Sequence, residues 1–279
     1  KQFISEGYSV AANGTCYRRD VRGFLPTLME KMYQERSMYK KKMIEAQKEL
    51  EDLPNKDMTT LGRAGYTDKL KKDISKYHNF QLVRKIQLNS AYGAIGNQYF
   101  RYYDVDKAEA ITMSGQLSIR WIADKLNEFL NDRIGTEDYD FVVASDTDSV
   151  YLRLGKLVDK LCADKSKDEI VDFLDKACTK IIEPFIDKSF EELASMMNAY
   201  ENKMVMGREV IADKGIWTAK KRYMLNVHDS EGVRYETPKV KIMGIETTRS
   251  STPEIVRNEL KEVIRLILTT DEATIINQV

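Results

Sequence analysis

Tyr139-Asp140-Phe141-Val142-Val143-Ala144-Ser145-Asp146-Thr147-Asp148-Ser149-Val150-Tyr151-Leu152-Arg153-Leu154 is the stretch on which the fold class turns. Its β-branched and aromatic residues predict two strands, over 139–145 and 149–154, joined at Asp146-Thr147-Asp148. Side chains alternate along a strand, so Asp146 and Asp148 share a face if the backbone stays extended through the join. Two carboxylates there suit a divalent metal, although Asp-x-Asp is also ordinary turn chemistry. The aliphatic strands on either side favour the metal, because carboxylates buried beside them are costly unless paired or metal-bound.

Upstream the texture is helical. Tyr8-Ser9-Val10-Ala11 and Thr15-Cys16-Tyr17 flank Asn13-Gly14, which predicts a hairpin with a tight two-residue turn. Pro26 then opens a helix to about Leu50, with Leu28, Met32, Tyr39, Met43 and Ala46 at helical spacings. Pro54-Asn55-Lys56-Asp57 breaks it, and a second helix is expected from about Thr67 to Asn89, making residues 26–89 an antiparallel helical hairpin with an apolar inner face. Gly93 and Gly96 punctuate the chain before an Asp104 or Asp106 cap. The next helix keeps Ile111, Gly115, Ile119, Ile122, Leu126, Phe129 and Leu130 on a 3.6-residue period and reads as a core helix.

Downstream, residues 168–197 read as a solvated helix kinked near Pro184. Strands are expected from Lys203 to Glu246 with a turn at Asp229-Ser230-Glu231-Gly232, and a last helix opens at Pro253. The class is therefore α/β of the α+β kind: antiparallel strands with packed helices and an inserted helical hairpin.

Composition narrows the chemistry. The 279 residues are 42% hydrophobic, 32% charged and 9% aromatic, the balance of a soluble globular protein with one large domain or two modest ones. The longest apolar runs fall far short of a membrane helix, and the first twenty residues hold no secretory signal. Cys16, Cys162 and Cys178 form no C-x-x-C pair, so neither a disulfide framework nor a zinc site is expected. Only His78 and His228 are available as histidine bases, and neither sits in a nucleophile motif, which leaves carboxylates to carry any chemistry.

Lysine plus arginine equals aspartate plus glutamate at 44 each, so net charge names no partner, but local charge does. Basic residues gather at Lys31, Arg36, Lys40, Lys41, Lys42 and Lys48 and again at Lys69, Lys71, Lys72, Lys76, Arg84 and Lys85. Residues 137–148 carry Glu137, Asp138, Asp140, Asp146 and Asp148 with no basic residue. That pattern suggests a polyanion handled beside a cation-binding acidic spot. Arg36 and Lys40 share one helix face and Lys85 and Asn89 another, so four polar groups converge on phosphate oxygens if the faces meet; otherwise they form a solvated basic face. Lys220-Lys221-Arg222-Tyr223 after Trp217 reads either as a nucleic-acid contact or as lysines blocking a strand edge.

These pieces occur together and in order. Lys85-Ile86-Gln87-Leu88-Asn89-Ser90-Ala91-Tyr92-Gly93 resembles the K-x-x-x-N-S-x-Y-G fingers motif of family B DNA polymerases. Asp146-Thr147-Asp148-Ser149 resembles the palm D-T-D-S motif of that family, and Lys220-Lys221-Arg222-Tyr223 its K-K-R-Y primer motif. Phe100-Arg101-Tyr102-Tyr103-Asp104 and Lys241-Ile242-Met243-Gly244-Ile245-Glu246 are similar to the replicative enzymes of T-even-like bacteriophages. The resemblance covers almost the whole chain.

It implies an antiparallel palm over 1–25 and 93–252, a fingers hairpin inserted at 26–92, and the start of a thumb at 253–279. It implies nucleotidyl transfer from a dNTP to a primer 3′-hydroxyl with two Mg2+ ions per complete site. Asp148 becomes a metal ligand with Asp146 supporting it, and Glu209 an auxiliary metal carboxylate. Arg36, Lys40, Lys85 and Asn89 become triphosphate contacts, Lys85 also serving catalysis, while Tyr92 and Gly93 pack on the nascent base pair. Lys220, Lys221, Arg222 and Tyr223 become DNA contacts. Implied partners are primer-template DNA, dNTPs and, in the complete enzyme, a sliding clamp, acting in the cytoplasm of a bacterial host.

The family's D-x-x-S-L-Y-P-S segment, whose aspartate bridges both metals, is not in this sequence, nor is an exonuclease carboxylate set. With Lys1 rather than Met first, the sequence reads as an excised piece, expected to be inactive alone. A naturally split subunit needing a partner chain and a non-catalytic DNA-binding domain are the alternatives.

Overall fold

The computed structural model describes residues 5–57 and 59–278; Lys1 and Val279, on which expectations about the extent of the chain rested, lie outside them. Strands β1 (Tyr8–Val10) and β2 (Cys16–Arg18) pair antiparallel. Their connection is a three-residue loop and not the expected two-residue turn: Gly14 N–H donates to Ala11 O, Ala11 N–H donates to Thr15 O, and Gly14 takes φ 87°. The extra residue is absorbed by a glycine in the left-handed region, a common hairpin solution.

Helices α1 (Phe24–Glu51) and α2 (Thr60–Ile95) form the helical hairpin. Helix α2 begins and ends well beyond 67–89. The Thr59 side chain caps its start by accepting from Gly62 N–H, and Gly93 is carried inside the helix, which stops only at Gly96. Contacts Glu35–Arg84, Tyr39–Phe80 and Glu49–Tyr66 march in opposite directions along the two helices, fixing an antiparallel register.

Helix α3 (Val105–Ile134) starts at Asp104, whose carboxylate accepts from Lys107 N–H, and ends at Gly135 with φ 73°. Its expected stripe holds from Ile122 to Leu130, but Ile111 is 49% exposed, because nothing among the described residues covers that face of the first turns. Strands β3 (Val142–Asp146) and β4 (Ser149–Leu152) follow as an antiparallel pair, then the short helix α4 (Gly155–Leu161). Helices α5 (Lys167–Ala177) and α6 (Glu183–Met196) are joined without a break by a π-helical turn at Cys178–Ile182, so the irregularity expected near Pro184 falls one turn earlier.

The main core lies where α3 meets the π turn and α6: Ile122, Leu126, Ile182, Ile186, Phe190 and Leu193 are all buried, and Val142, Val150 and Leu152 of the β3–β4 pair pack against them. Trp121 Nε1 donates to Ser189 O across the same contact at 2.9 Å.

Strands β5 (Val210–Ala219), β6 (Arg222–Ser230) and β7 (Val233–Met243) make a separate antiparallel sheet in that order. Central β6 is buried on both faces. Tyr223, Leu225 and Val227 meet Tyr151 of β4, while Met224 meets Ile264 and Leu268 of α7 (Glu254–Thr269). A short helix α8 (Glu272–Gln278) follows. The class is α+β as expected, with the strands divided among three small antiparallel sheets. No helix among the described residues is long and apolar enough to cross a membrane.

Candidate metal centre and nucleic-acid interface

Helix α3 sets the position of the β3–β4 hairpin through two asparagines one turn apart. Asn127 Oδ1 accepts from the N–H groups of Phe141 and Val142 at 2.9 and 3.1 Å. Asn131 Oδ1 accepts from Tyr139 N–H, and its Nδ2 donates to Tyr139 O. The chain entering β3 thus has its backbone groups satisfied by the helix beneath, and the hairpin stands on a packed base. Sequence alone did not single these residues out; the available signal was a polar pair at i and i+4 on an otherwise apolar stripe.

At the apex Asp146 pairs with Ser149, leaving Thr147-Asp148 as a two-residue turn. The backbone does not stay extended, contrary to the premise on which the two carboxylates would share a face: Thr147 has φ 58° and the chain reverses there. The two acids differ accordingly. Asp146 is half-buried; its Oδ1 accepts from Thr147 Oγ1 at 3.0 Å and lies 3.4 Å from Lys221 Nζ. Asp148 is exposed, and its carboxylate has no hydrogen-bond or ion-pair partner among the described residues. An unneutralised oxygen donor at a turn apex, on a rigid base, fits a hard divalent cation. The described residues include no group of three potential ligands, so they supply part of a coordination sphere.

Tyr151 carries the hairpin against the three-stranded sheet, its ring 5.4 Å from Tyr223 and 5.3 Å from Trp217. That contact brings the K-K-R-Y segment to the carboxylates. Lys220 and Lys221 are not on a strand edge, as one expectation had it, but form the β5–β6 turn, closed by Ala219 opposite Arg222. Arg222 is ion-paired with Glu246, and Tyr223 is buried. Burial pushes the Tyr223 phenol well up, helped by Tyr151 and then by the carboxylates of Glu209 and Asp146. Glu209 itself is exposed.

The helical-hairpin residues lie elsewhere. Arg36 is half-buried on α1 with Nε unsatisfied, and Lys40 is ion-paired with Glu231 at the β6–β7 turn. Lys85, Asn89 and Tyr92 are exposed on α2, and a Cβ on Gly93 would meet open space. No hydrogen bond or ion pair among the described residues joins Arg36, Lys85 or Asn89 to one another or to the β3–β4 hairpin, and Lys40 leans toward the sheet instead of converging with them.

Burial pushes the Cys178 thiol up to about 11, against the lowering effect of Arg208. His228 is enclosed in the sheet, 3.3 Å from Asp213, and His78 is exposed on α2.

Compared with known proteins, the chain matches no family model. It is 41% identical, over 95% of its length, to a DNA-directed DNA polymerase of Escherichia phage RB69. It is 38% identical, over 97% of its length, to a DNA-directed DNA polymerase of Enterobacteria phage T4. It spans 34% of the length of each. The resemblance to T-even-like phage polymerases that the motifs suggest thus extends along nearly all of the chain.

Proposed function

We propose that this chain is the part of a DNA-directed DNA polymerase that carries the palm carboxylate hairpin and the fingers, with residues 1–25 and 93–252 as palm, 26–92 as fingers and 253–279 as the start of the thumb. The observation that carries the reading is the contrast at one turn: Asp148 open and unpartnered, Asp146 beside it neutralised by Lys221, in a chain that is 41% identical to a phage polymerase.

Asp148 holds a divalent ion, Mg2+ in the cell, with Asp146 and Glu209 as flanking carboxylates; the remaining ligands come from polypeptide outside these 279 residues, so the chain alone does not extend a primer. A divalent ion held by Asp148 would supply Lewis-acid chemistry there, lowering the pKa of the primer 3′-hydroxyl and offsetting charge on the departing pyrophosphate. Lys221, beside Asp146, holds the primer end with Lys220 and Arg222 along its backbone, and Tyr223, buried beneath the turn, serves the primer by supporting that turn. Arg36, Lys40, Lys85 and Asn89 grip the triphosphate; Lys40 must first release Glu231, and Lys85, having no partner, is free to follow the leaving group. Tyr92 and Gly93 lie on the same helix and pack on the nascent pair. Primer-template DNA, dNTPs and a sliding clamp are the partners, and a bacterial host's cytoplasm is the setting.

The test is primer extension by the complete polymerase carrying Asp148→Ala. Removing one ligand of a site that stabilises transition-state charge should cost many powers of ten in rate. Near-normal extension would overturn the assignment.

A further inference from the structure

The three-stranded sheet closes at opposite ends in two two-residue turns. In the β6–β7 turn both Glu231 and Gly232 have positive φ, and a glycine fills the second place. In the β5–β6 turn the second place belongs to Lys221, at φ 62°, a conformation that is unfavourable for a residue with a side chain and that neighbouring contacts can stabilise. What surrounds Lys221 is the chain leaving β7. Met243 is the last paired residue, opposite Tyr223. Gly244 follows at φ 67°, laid so close to the turn that a Cβ would stand 2.2 Å from Lys221 O and 3.1 Å from Arg222 Cγ. The next residues fasten this crossing: Ile245 is buried with Met224, Ile264 and Leu268, and Glu246 is ion-paired with Arg222. Held this way, Lys221 sets its ammonium 3.4 Å from Asp146 Oδ1.

We propose that Gly244 is a positioning residue for the carboxylate hairpin. Its lack of a side chain lets the β7 exit press the Lys220-Lys221 turn into the one conformation in which Lys221 neutralises Asp146, leaving Asp148 as the carboxylate open to metal. This rests on the metal reading above and adds to it the element that assigns different tasks to the two acids. Gly232 provides the natural control. It has the same sign of φ, but a methyl group there meets only the movable end of Lys48, far from the site.

The experiment uses the full chain with Mn2+ as the probe, its binding followed by water-proton relaxation, in Gly244→Ala, Lys221→Met, the double variant, Gly232→Ala and Asp148→Ala. Both glycine variants should melt earlier, since each forces alanine into positive φ. Only Gly244→Ala should tighten Mn2+ binding, by roughly two- to five-fold, the worth of one exposed ion pair released from Asp146. Lys221→Met should do the same, and the double variant should bind no more tightly than either, because both changes act through one ammonium. Unaltered Mn2+ affinity in Gly244→Ala, or summed effects in the double variant, overturns the role of Gly244 and leaves the metal site standing. Mn2+ binding that ignores Asp148→Ala overturns the metal reading and this proposal with it. Should Gly244→Ala fail to fold, Glu246→Gln loosens the same crossing: tighter Mn2+ binding then supports the role of the crossing, and unaltered affinity overturns it.

Discussion

Two pairs of helices in this molecule are held by different means. Along α1 and α2, 28 and 36 residues long, the described buried residues are Ala46, Leu70 and Gln81. Along α3 and α6, 30 and 14 residues long, they include Ile122, Leu126, Leu130, Ile134, Ile186, Phe190 and Leu193. The first pair holds together through stacked tyrosines and the Glu35–Arg84 pair, and it meets the sheet through Lys40–Glu231 and Lys239–Glu51. The second pair is a packed core. Burial of apolar surface involves no charge that salt can screen or mild acid can titrate, whereas exposed ion pairs do. The carboxylate hairpin therefore stands on the part of the molecule that resists perturbation, and the proposed triphosphate contacts stand on the part that yields to it.

The largest test of that contrast is a pair of cavities. Phe190→Ala should destabilise the whole chain by about 3–5 kcal/mol in denaturant unfolding. Leu70→Ala should instead speed hydrogen exchange in α2 and leave the slow amides of α3 where they were. If Leu70→Ala loosens α3 as much as α2, hairpin and core are one cooperative unit and the contrast fails.

A smaller effect separates their tasks. In the complete polymerase, Arg36→Ala and Lys85→Ala should each weaken nucleotide use by roughly one to two powers of ten, the worth of a charge-assisted phosphate contact, with DNA affinity nearly unchanged. Lys221→Ala should do the reverse. Pre-steady-state incorporation against nucleotide concentration, beside a DNA-binding titration, separates them; loss of DNA binding in Arg36→Ala with normal nucleotide dependence would make the helical hairpin a DNA-binding face.

The smallest effect concerns pH. Glu30 on α1 is held below the ordinary carboxylate range by Lys203 and then Arg22, and Glu49 by Lys56 and then Tyr66. A carboxyl lowered in the folded state stabilises above its unfolded pKa, and that stabilisation disappears as pH falls through the folded value. Below about pH 4.5, then, α1 and α2 should lose ties before the core does. Both tryptophans, Trp121 and Trp217, lie outside the helical hairpin. Far-ultraviolet dichroism should therefore decline on acidification before tryptophan emission changes, and coincident transitions would refute the order.

What the sequence made legible follows the same division. Periodicity placed the helices, and the D-T-D-S string placed the carboxylates, because both signals are local. The C-terminal limit of α2 was hidden because Gly93 reads as punctuation, yet a helix carries an isolated glycine at a modest cost. Ile111 fits the apolar period but is exposed, since a period states which face matches and not what covers it. The Lys220-Lys221 turn offers none of the glycine, asparagine or aspartate that usually announces one. Its conformation comes from Tyr223 opposite Trp217 and from the crossing at Gly244. The Lys221–Asp146 contact was equally out of reach, because it depends on the edge and tilted ring contacts of Tyr151 between two separate sheets.

The uninterrupted run of α2 from Thr60 to Ile95 has a mechanical consequence. At 1.5 Å per residue its 36 residues make a rod about 54 Å long. Leverage on such a rod is large: a tilt of about 10° at the Ile95 end carries the Thr60 end through about 9 Å. Lys85 and Asn89, close to the pivot, travel only a small fraction of that arc. Whatever moves the far end of the arm is therefore converted, with reduced stroke and increased force, into fine adjustment at Lys85 and Asn89.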